Sequence, residues 1–125
     1  MIAVSRAPYS KIEKYKKRMG WNFKWVSSYG NDFNFDYHVS FTPDELENNE
    51  GFYNFTMVEL NSSELPGVSI FYKNQTNRIF HTYSAYSRGI DMMNAAYNYL
   101  DLVPKGRDEA GHEFAQFWVR RHDEY

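Results

Sequence analysis

The spacing of hydrophobic residues predicts a strand, a helix and a second strand in the first part of the chain. Residues 2–5 form a short apolar run that is typical of a buried strand. Apolar residues then recur at helical spacing over residues 8–19, with lysines between them: Tyr9, Ile12, Tyr15 and Met19. Gly20 stands where a left-handed cap ends a helix, and residues 23–27 form the next apolar run. This β-α-β order favours a sheet with a parallel portion.

The middle of the chain is predicted to hold short elements. Residues 29–37 combine turn formers with alternating aromatic residues, which indicates a loop or a single helical turn. Thr42 followed by Pro43 and Glu45 is typical of the start of a short helix. Residues 52–60 alternate between apolar and polar positions, which predicts one strand.

A β-hairpin and a final helix are predicted in the last part of the chain. Strands over residues 68–72 and 78–83 flank a polar turn. Ser87 is placed to cap a helix whose apolar residues share one stripe: Ile90, Met93, Tyr97 and Leu100. Residues 112–125 are too apolar for a free end, so we expect this tail to dock. The absence of a linker predicts one domain over residues 1–125, with an insertion at about 43–64.

Charge is unevenly distributed along the chain, although the formal net charge is only -2. That balance argues against nucleic acid as a partner. Residues 1–20 carry six Lys or Arg and one Glu, whereas residues 31–66 carry eight carboxylates and no Lys or Arg. These segments are either two solvated faces, the preferred interpretation, or surfaces that attract each other within one chain or between two.

The residue inventory excludes several kinds of chemistry. The chain has no cysteine, which removes thiolate nucleophiles, disulfides and Cys-ligated metal sites. The four histidines show no metal-ligand spacing, and no serine lies in a nucleophile elbow. We therefore expect no catalytic residue, no metal and no cofactor. No run of apolar residues is long enough for a membrane span, and a cytoplasmic location is the default expectation.

Two groups of side chains are the best candidates for binding. A polar group in the second half of the chain, the late arginine group, could bind an anionic ligand through arginine guanidinium groups. Alternatively, and this is the preferred interpretation, its residues form ion pairs that hold the C-terminal tail against the rest of the chain. The group consists of His81, Tyr83, Arg88, Arg107, Arg120 and His122. An aromatic run between residues 21 and 41 could stack on a flat ligand. Its acidic neighbours repel phosphates, so packing is the preferred role for this run.

Several segments resemble one bacterial family across residues 2–125. The matching segments are IAVSRAPYSKIEKYKKRMGW, VSSYGNDFNFDYHVSFT, LPGVSIFYKN, HTYSAYSRGIDMMNAAYNYLDLVPKGRDE and WVRRHDEY. They are similar to the thioredoxin-like family called domain of unknown function 899. The resemblance implies a partial thioredoxin-like fold of the α/β class. Its layers would be a three-layer α/β/α sandwich around a mixed sheet that ends in a β-hairpin and a helix.

The resemblance also implies what this chain lacks. Longer members of the family carry an N-terminal half with the first strand of the fold and a Cys-x-x-Cys motif, whereas Pro66 matches the cis-proline position. Without the central strand, two sheet edges and an apolar surface are exposed, and such edges invite pairing. We expect a homodimer or a rearranged N-terminal strand. The function classes left open are a non-catalytic self-associating or partner-binding module, an oxidoreductase fragment whose active half lies elsewhere, and a small anionic-ligand binder.

Overall fold

The computed structural model describes all of residues 1–125 and has mixed α/β content. Its strands are β1 (Ile2–Ser5), β2 (Lys24–Ser27), β3 (Glu50–Tyr53), β4 (Thr56–Glu59), β5 (Gly67–Lys73) and β6 (Ile79–Tyr86). Its helices are α1 (Tyr9–Met19), α2 (Phe33–Asp36), α3 (Pro43–Glu47) and α4 (Ala95–Leu100), with 3₁₀ segments at Ser87–Met93 and His122–Glu124. None of the helices combines the length and the apolar character needed to cross a membrane.

The contacts within the chain form two compact units. The first unit contains residues 1–31 together with residues 99–125, so it draws on both ends of the chain. The second unit contains residues 32–98.

The first unit is built on the predicted β-α-β motif. β1 and β2 pair in parallel, from Ile2 opposite Lys24 to Ser5 opposite Ser27. The helix between them buries Ile12 and Met19, which lie seven residues apart and so share one face. Gly20 adopts the left-handed conformation (φ 63°), and its N–H donates to carbonyls of the last turn. The predictions of a strand at β1, of α1 and of its cap are confirmed, but β1 is not buried, since Ile2 is 54% exposed and Val4 36%.

The second unit has an aromatic core of Phe41, Tyr53, Leu60 and Tyr86. Gly67 begins β5 beside this core, where a side chain would not fit. A Cβ atom at this position would lie 2.7 Å from Val39 Cγ1. The close approach explains why glycine follows Leu65 and Pro66 in the sequence.

Two short helices lead into the second unit as predicted. α2 is the single helical turn that was one of the two alternatives for residues 29–37. α3 begins with a capping box in which the Glu45 N–H donates to Thr42 Oγ1 and the Thr42 N–H donates to Glu45 Oε2 at 2.8 Å. The hydrogen bond from the Thr42 backbone, followed by that from its side chain, lowers the pKa of Glu45.

The prediction of one strand over residues 52–60 is wrong, because the chain reverses there. β3 and β4 form an antiparallel hairpin that is connected by Asn54 and Phe55. Both connecting residues have positive φ (51° and 64°), as a tight two-residue hairpin turn requires. Phenylalanine is an unusual residue for this conformation, and it continues the apolar alternation through the turn.

The hairpin of β5 and β6 is confirmed and is the longest pair in the structure. It runs from Gly67 opposite Tyr86 to Lys73 opposite Ile79. The register shifts between Ile70 and Phe71, so Thr82 on β6 has no opposite residue.

The single helix predicted after Ser87 is replaced by two shorter segments. Ser87 has a positive φ of 47° and makes no side-chain capping bond, so it does not act as the predicted cap. Asn94 is extended (φ -113°, ψ 91°) and separates the 3₁₀ segment from α4. Gly89 and Asn94 favour helix weakly, which allows the apolar stripe to be divided.

Two further expectations about the sheet differ from the structure. The strands form three separate two-stranded sheets, β1–β2, β3–β4 and β5–β6, and not one mixed sheet. A strand that would bond to both β1 and β5, as the resemblance implies for the central strand, is not among the six. All peptide bonds are trans, including the bond before Pro66, so the cis-proline expectation is corrected.

Candidate functional site

A histidine and two serines form a hydrogen-bonded row on one face of the β5–β6 hairpin. His81 Nε2 lies 2.8 Å from Ser84 Oγ, which lies 2.8 Å from Ser69 Oγ. Ser69 and Ser84 are directly opposite in the register, and the unpaired Thr82 brings His81 onto the same face. A His-Ser pair at this distance is the arrangement that activates a serine nucleophile.

The protonation of His81 argues against that activation. The same Nε2 atom lies 3.0 Å from the carbonyl oxygen of Tyr83, which can only accept a hydrogen bond. Nε2 therefore carries the proton and donates to the carbonyl and to Ser84. A nitrogen that carries a proton cannot remove one from Ser84, so this row has a structural role.

The ring of His81 is also held by aromatic neighbours. It contacts the edge of Tyr37, with ring centroids 5.6 Å apart, and the ring of Phe71 at 5.3 Å. Tyr37 and Phe71 contact each other at 5.7 Å. This packing, like the hydrogen bonds of Nε2, favours a structural role for His81.

The opposite face of the same hairpin is open. It carries two apolar pairs across the strands, Ile70 with Tyr83 and Tyr72 with Phe80. All four side chains are between 39% and 59% exposed. Exposed apolar groups that cluster on one sheet face are typical of a surface that contacts a partner. We call these four residues the open face.

The six predicted ligand-binding residues are divided between the two units. His81, Tyr83 and Arg88 belong to the second unit, and the other three to the first. Among the three residues of the second unit, Tyr83 lies on the open face and His81 on the opposite face. Arg88 Nη2 lies 3.6 Å from Asp91 Oδ2. The structure therefore does not gather these three around one space.

The remaining three residues are used for local contacts in the first unit. Arg107 makes a two-pronged ion pair with Asp101, at 2.7 and 2.5 Å. Arg120 donates to the carbonyl of Phe117 at 2.8 Å, and His122 begins the last 3₁₀ segment. These contacts join residues only three to six positions apart, so they do not themselves pin the tail to the rest of the chain. Binding of an anionic ligand by the six residues stays a prediction.

The C-terminal tail docks on α1 through residues that the sequence did not single out as a group. Arg121 Nε donates to the Tyr15 hydroxyl at 2.6 Å, and Arg18 Nε donates to Asp123 Oδ2 at 2.7 Å. The hydrogen bond with Asp123 raises the pKa of Arg18, and it lowers the pKa of Asp123. The adjacent basic and acidic residues at 120–124 and the basic helix were the available sequence signals.

Aromatic rings from α1 and β2 form a second cluster in the first unit. Trp21 contacts Tyr15, Phe23 and Trp25, with ring centroids 5.3 to 5.9 Å apart. Lys16 Nζ donates to the Phe23 carbonyl at 2.6 Å and lies 5.8 Å from the Phe23 ring centre. Part of the predicted aromatic run thus packs against the basic helix.

Acidic and histidine side chains do not gather into a metal site in the structure: no group of three or more is close enough to hold an ion.

Comparisons with known proteins give one match. The family described as "Bacterial protein of unknown function (DUF899)" matches residues 1–125. No curated protein and no solved structure matches the chain.

Proposed function

This chain belongs to the DUF899 family, and from that premise we propose that it is a non-catalytic binding module that self-associates through the open face. The observation that carries the proposal is the pairing of Ile70 with Tyr83 and of Tyr72 with Phe80 on an uncovered sheet face. The absence of cysteine supports a role without thiol chemistry.

The composition of the open face favours a second copy as its occupant. Tyrosine and phenylalanine bring large contact area with few rotamers to lose, which suits the centre of an interface. A two-fold axis places the same patch on both sides, so an apolar face meets an apolar face. The backbone edge of β5 or β6 that does not face its partner strand offers further hydrogen bonds to an added strand.

We further propose that the fold derives from the thioredoxin fold. The parallel β1–α1–β2 motif, followed by the antiparallel β5–β6 hairpin and α4, has the element order of that fold. In this proposal the open face is the hairpin surface that a covering layer of the full sandwich would bury. If a partner chain supplied the strand and the Cys-x-x-Cys motif of the N-terminal half, the oxidoreductase alternative would be correct.

Sedimentation equilibrium tests self-association. We expect the wild-type chain to form dimers at micromolar concentration, and Ile70→Asp to be monomeric, because a dimer would bury its carboxylate in an apolar contact. Met57→Asp is the matched control: Met57 is 54% exposed, also lies on a strand, and is outside the open face. It should leave the dimer intact.

Two outcomes would contradict the proposal. A wild-type chain that is monomeric at 100 micromolar (roughly the range of weak transient complexes) would exclude self-association. A dimer that survives Ile70→Asp would place the interface elsewhere. Circular dichroism of both variants shows whether each is folded, which separates loss of the interface from loss of structure.

A further inference from the structure

An apolar groove in the first unit is not used by the proposed function. It encloses about 170 Å³ between α1, β2 and the segment that follows β1. Its lining residues are Ala7, Lys11, Ile12, Tyr15 and Trp25. Ile12 is only 2% exposed and so provides a fixed floor. The volume suits one aromatic ring with a short arm.

The two aromatic walls present carbon to the groove. Their rings lie 6.1 Å apart at an angle of 86°, so they form adjacent sides of a corner. The indole N–H of Trp25 is already bonded to Ser5 Oγ at 3.0 Å, and the Tyr15 hydroxyl already accepts from Arg121. With both polar groups satisfied, a flat apolar group is favoured at this corner, by offset or edge contacts.

One unpaired positive charge lies beside the groove. Carbon atoms of Lys11 line it, and the side chain is exposed and makes no ion pair within the chain. Arg18 and Arg121 lie within 6.0 Å of the Tyr15 ring centre, but they are already paired with Asp123 and Glu124. An acidic group on the ligand would therefore gain a contact with the Lys11 ammonium, whereas a basic group would be repelled.

We infer that this groove is a binding site for a small aromatic monocarboxylate, with the ring in the corner against Tyr15 and Trp25 and the carboxylate at Lys11. The site does not depend on the open face, so it can be present in a monomer or a dimer. It also differs from the late arginine group, in which each arginine already has a partner.

The test uses 3-phenylpropionate as the probe and its amide as the uncharged analogue. The indole N–H signals of the three tryptophans are followed by NMR during titration of the full chain. We expect the Trp25 signal to shift with millimolar affinity. The amide should bind about two- to five-fold more weakly, since an exposed ion pair contributes little.

Two variants locate the site. Ala7→Leu fills the groove and should abolish the Trp25 shift. Lys11→Gln should weaken binding of 3-phenylpropionate to the level of the amide and leave binding of the amide unchanged. Lys17→Gln, on the same helix but outside the groove lining, should change neither.

Three results would overturn the inference. They are the absence of a Trp25 shift, equal binding of the acid and the amide, or an equal effect of Lys11→Gln and Lys17→Gln. The Lys11→Gln result does not depend on the folding of the more disruptive Ala7→Leu. None of these results bears on dimer formation, so this inference and the proposed function fail separately.

Discussion

The hydroxyl of Tyr53 joins three segments of the second unit. Tyr53 lies on β3 and is 6% exposed. Its hydroxyl donates to the Pro66 carbonyl at 2.8 Å and accepts from the Ser87 N–H at 2.8 Å. Burial raises the pKa of Tyr53, so the neutral form makes both bonds at physiological pH. The start of β5 and the end of β6 are therefore fixed to the same atom.

Removing this hydroxyl should destabilise the second unit. Tyr53→Phe keeps the ring but leaves the Pro66 carbonyl and the Ser87 N–H without their partner. We expect a loss of about 1–3 kcal/mol in the free energy of unfolding, measured by urea titration. Tyr29→Phe removes a hydroxyl from a side chain that is 67% exposed, and it should cost less than about 0.5 kcal/mol. Equal losses in the two variants would show that the buried hydroxyl of Tyr53 contributes no more to the free energy of unfolding than an exposed one.

At the scale of elements, the β3–β4 hairpin contains an unfavourable charge pair. Glu50 and Glu59 are directly opposite in the register, and like charges at such positions are destabilising. Asn49 Nδ2 donates to Glu59 Oε1 at 3.0 Å, which satisfies that oxygen but does not neutralise its charge. The hairpin therefore depends on Tyr53 and its other contacts with the core.

Reversing one charge of this pair should stabilise the hairpin. Glu50→Lys replaces repulsion with attraction, and we expect a gain of about 0.2–1 kcal/mol in the free energy of unfolding at low salt. The gain should shrink in 1 M NaCl because exposed charges are screened. Glu47→Lys makes the same charge change on α3, where no carboxylate is opposite. If it stabilises the chain equally, the net charge of the segment is responsible and the pair is not.

Elements with strong local signals are the ones that the sequence predicts correctly. α1 has an apolar stripe and a glycine cap, and α3 has a capping box, so both are determined by residues within a few positions. The turn at Asn54 and Phe55 was missed because Phe55 takes a conformation that glycine usually supplies. Its ring contacts Tyr86, with centroids 5.5 Å apart, and that tertiary contact has no local sequence signature.

The candidate sites were predictable to a smaller extent. Strict alternation over residues 78–83 predicts His81 and Tyr83 on one face, but the unpaired Thr82 puts them on opposite faces. The contact of His81 with Ser84 required the register shift at Thr82, which periodicity does not reveal. The groove at Trp25 required knowledge of which side chains from β2 face α1. Sequence patterns therefore do not reveal which distant segments of the chain come into contact.

At the scale of the whole molecule, opposite charges are concentrated in different units. The first unit has eleven Lys or Arg and seven Asp or Glu, a formal charge of +4. The second unit has three and nine, a formal charge of -6. Unlike charges on two chains attract at low salt, whereas the dimer proposed above depends on apolar contact at the open face. That contact would persist at high salt, where charges are screened.

The closure of the first unit around both chain ends should be sensitive to acid. Arg18 pairs with Asp123, and Arg121 hydrogen-bonds to Glu124 and lowers its pKa. The hydrogen bond from Arg18 on α1 lowers the pKa of Asp123, whereas the pKa of Glu124 is lowered chiefly by Arg121 within the tail. The stabilisation of docking by Asp123 is complete above the ordinary carboxyl range of about 4 and is lost as the pH falls through the lowered value. We expect residues 121–124 to become mobile in acid below that range.

Backbone ¹⁵N relaxation at pH 6 and near pH 3 measures this release. Asp123→Asn should loosen the tail already at pH 6, because it removes the charge that Arg18 binds. Glu113→Gln is the matched control in the same tail, and it should leave residues 121–124 ordered at pH 6. The bond from Arg121 to the Tyr15 hydroxyl involves no carboxylate, so the release should be partial. A tail that stays equally rigid at both pH values would show that aromatic and backbone contacts, and not the carboxylates, hold the two ends together.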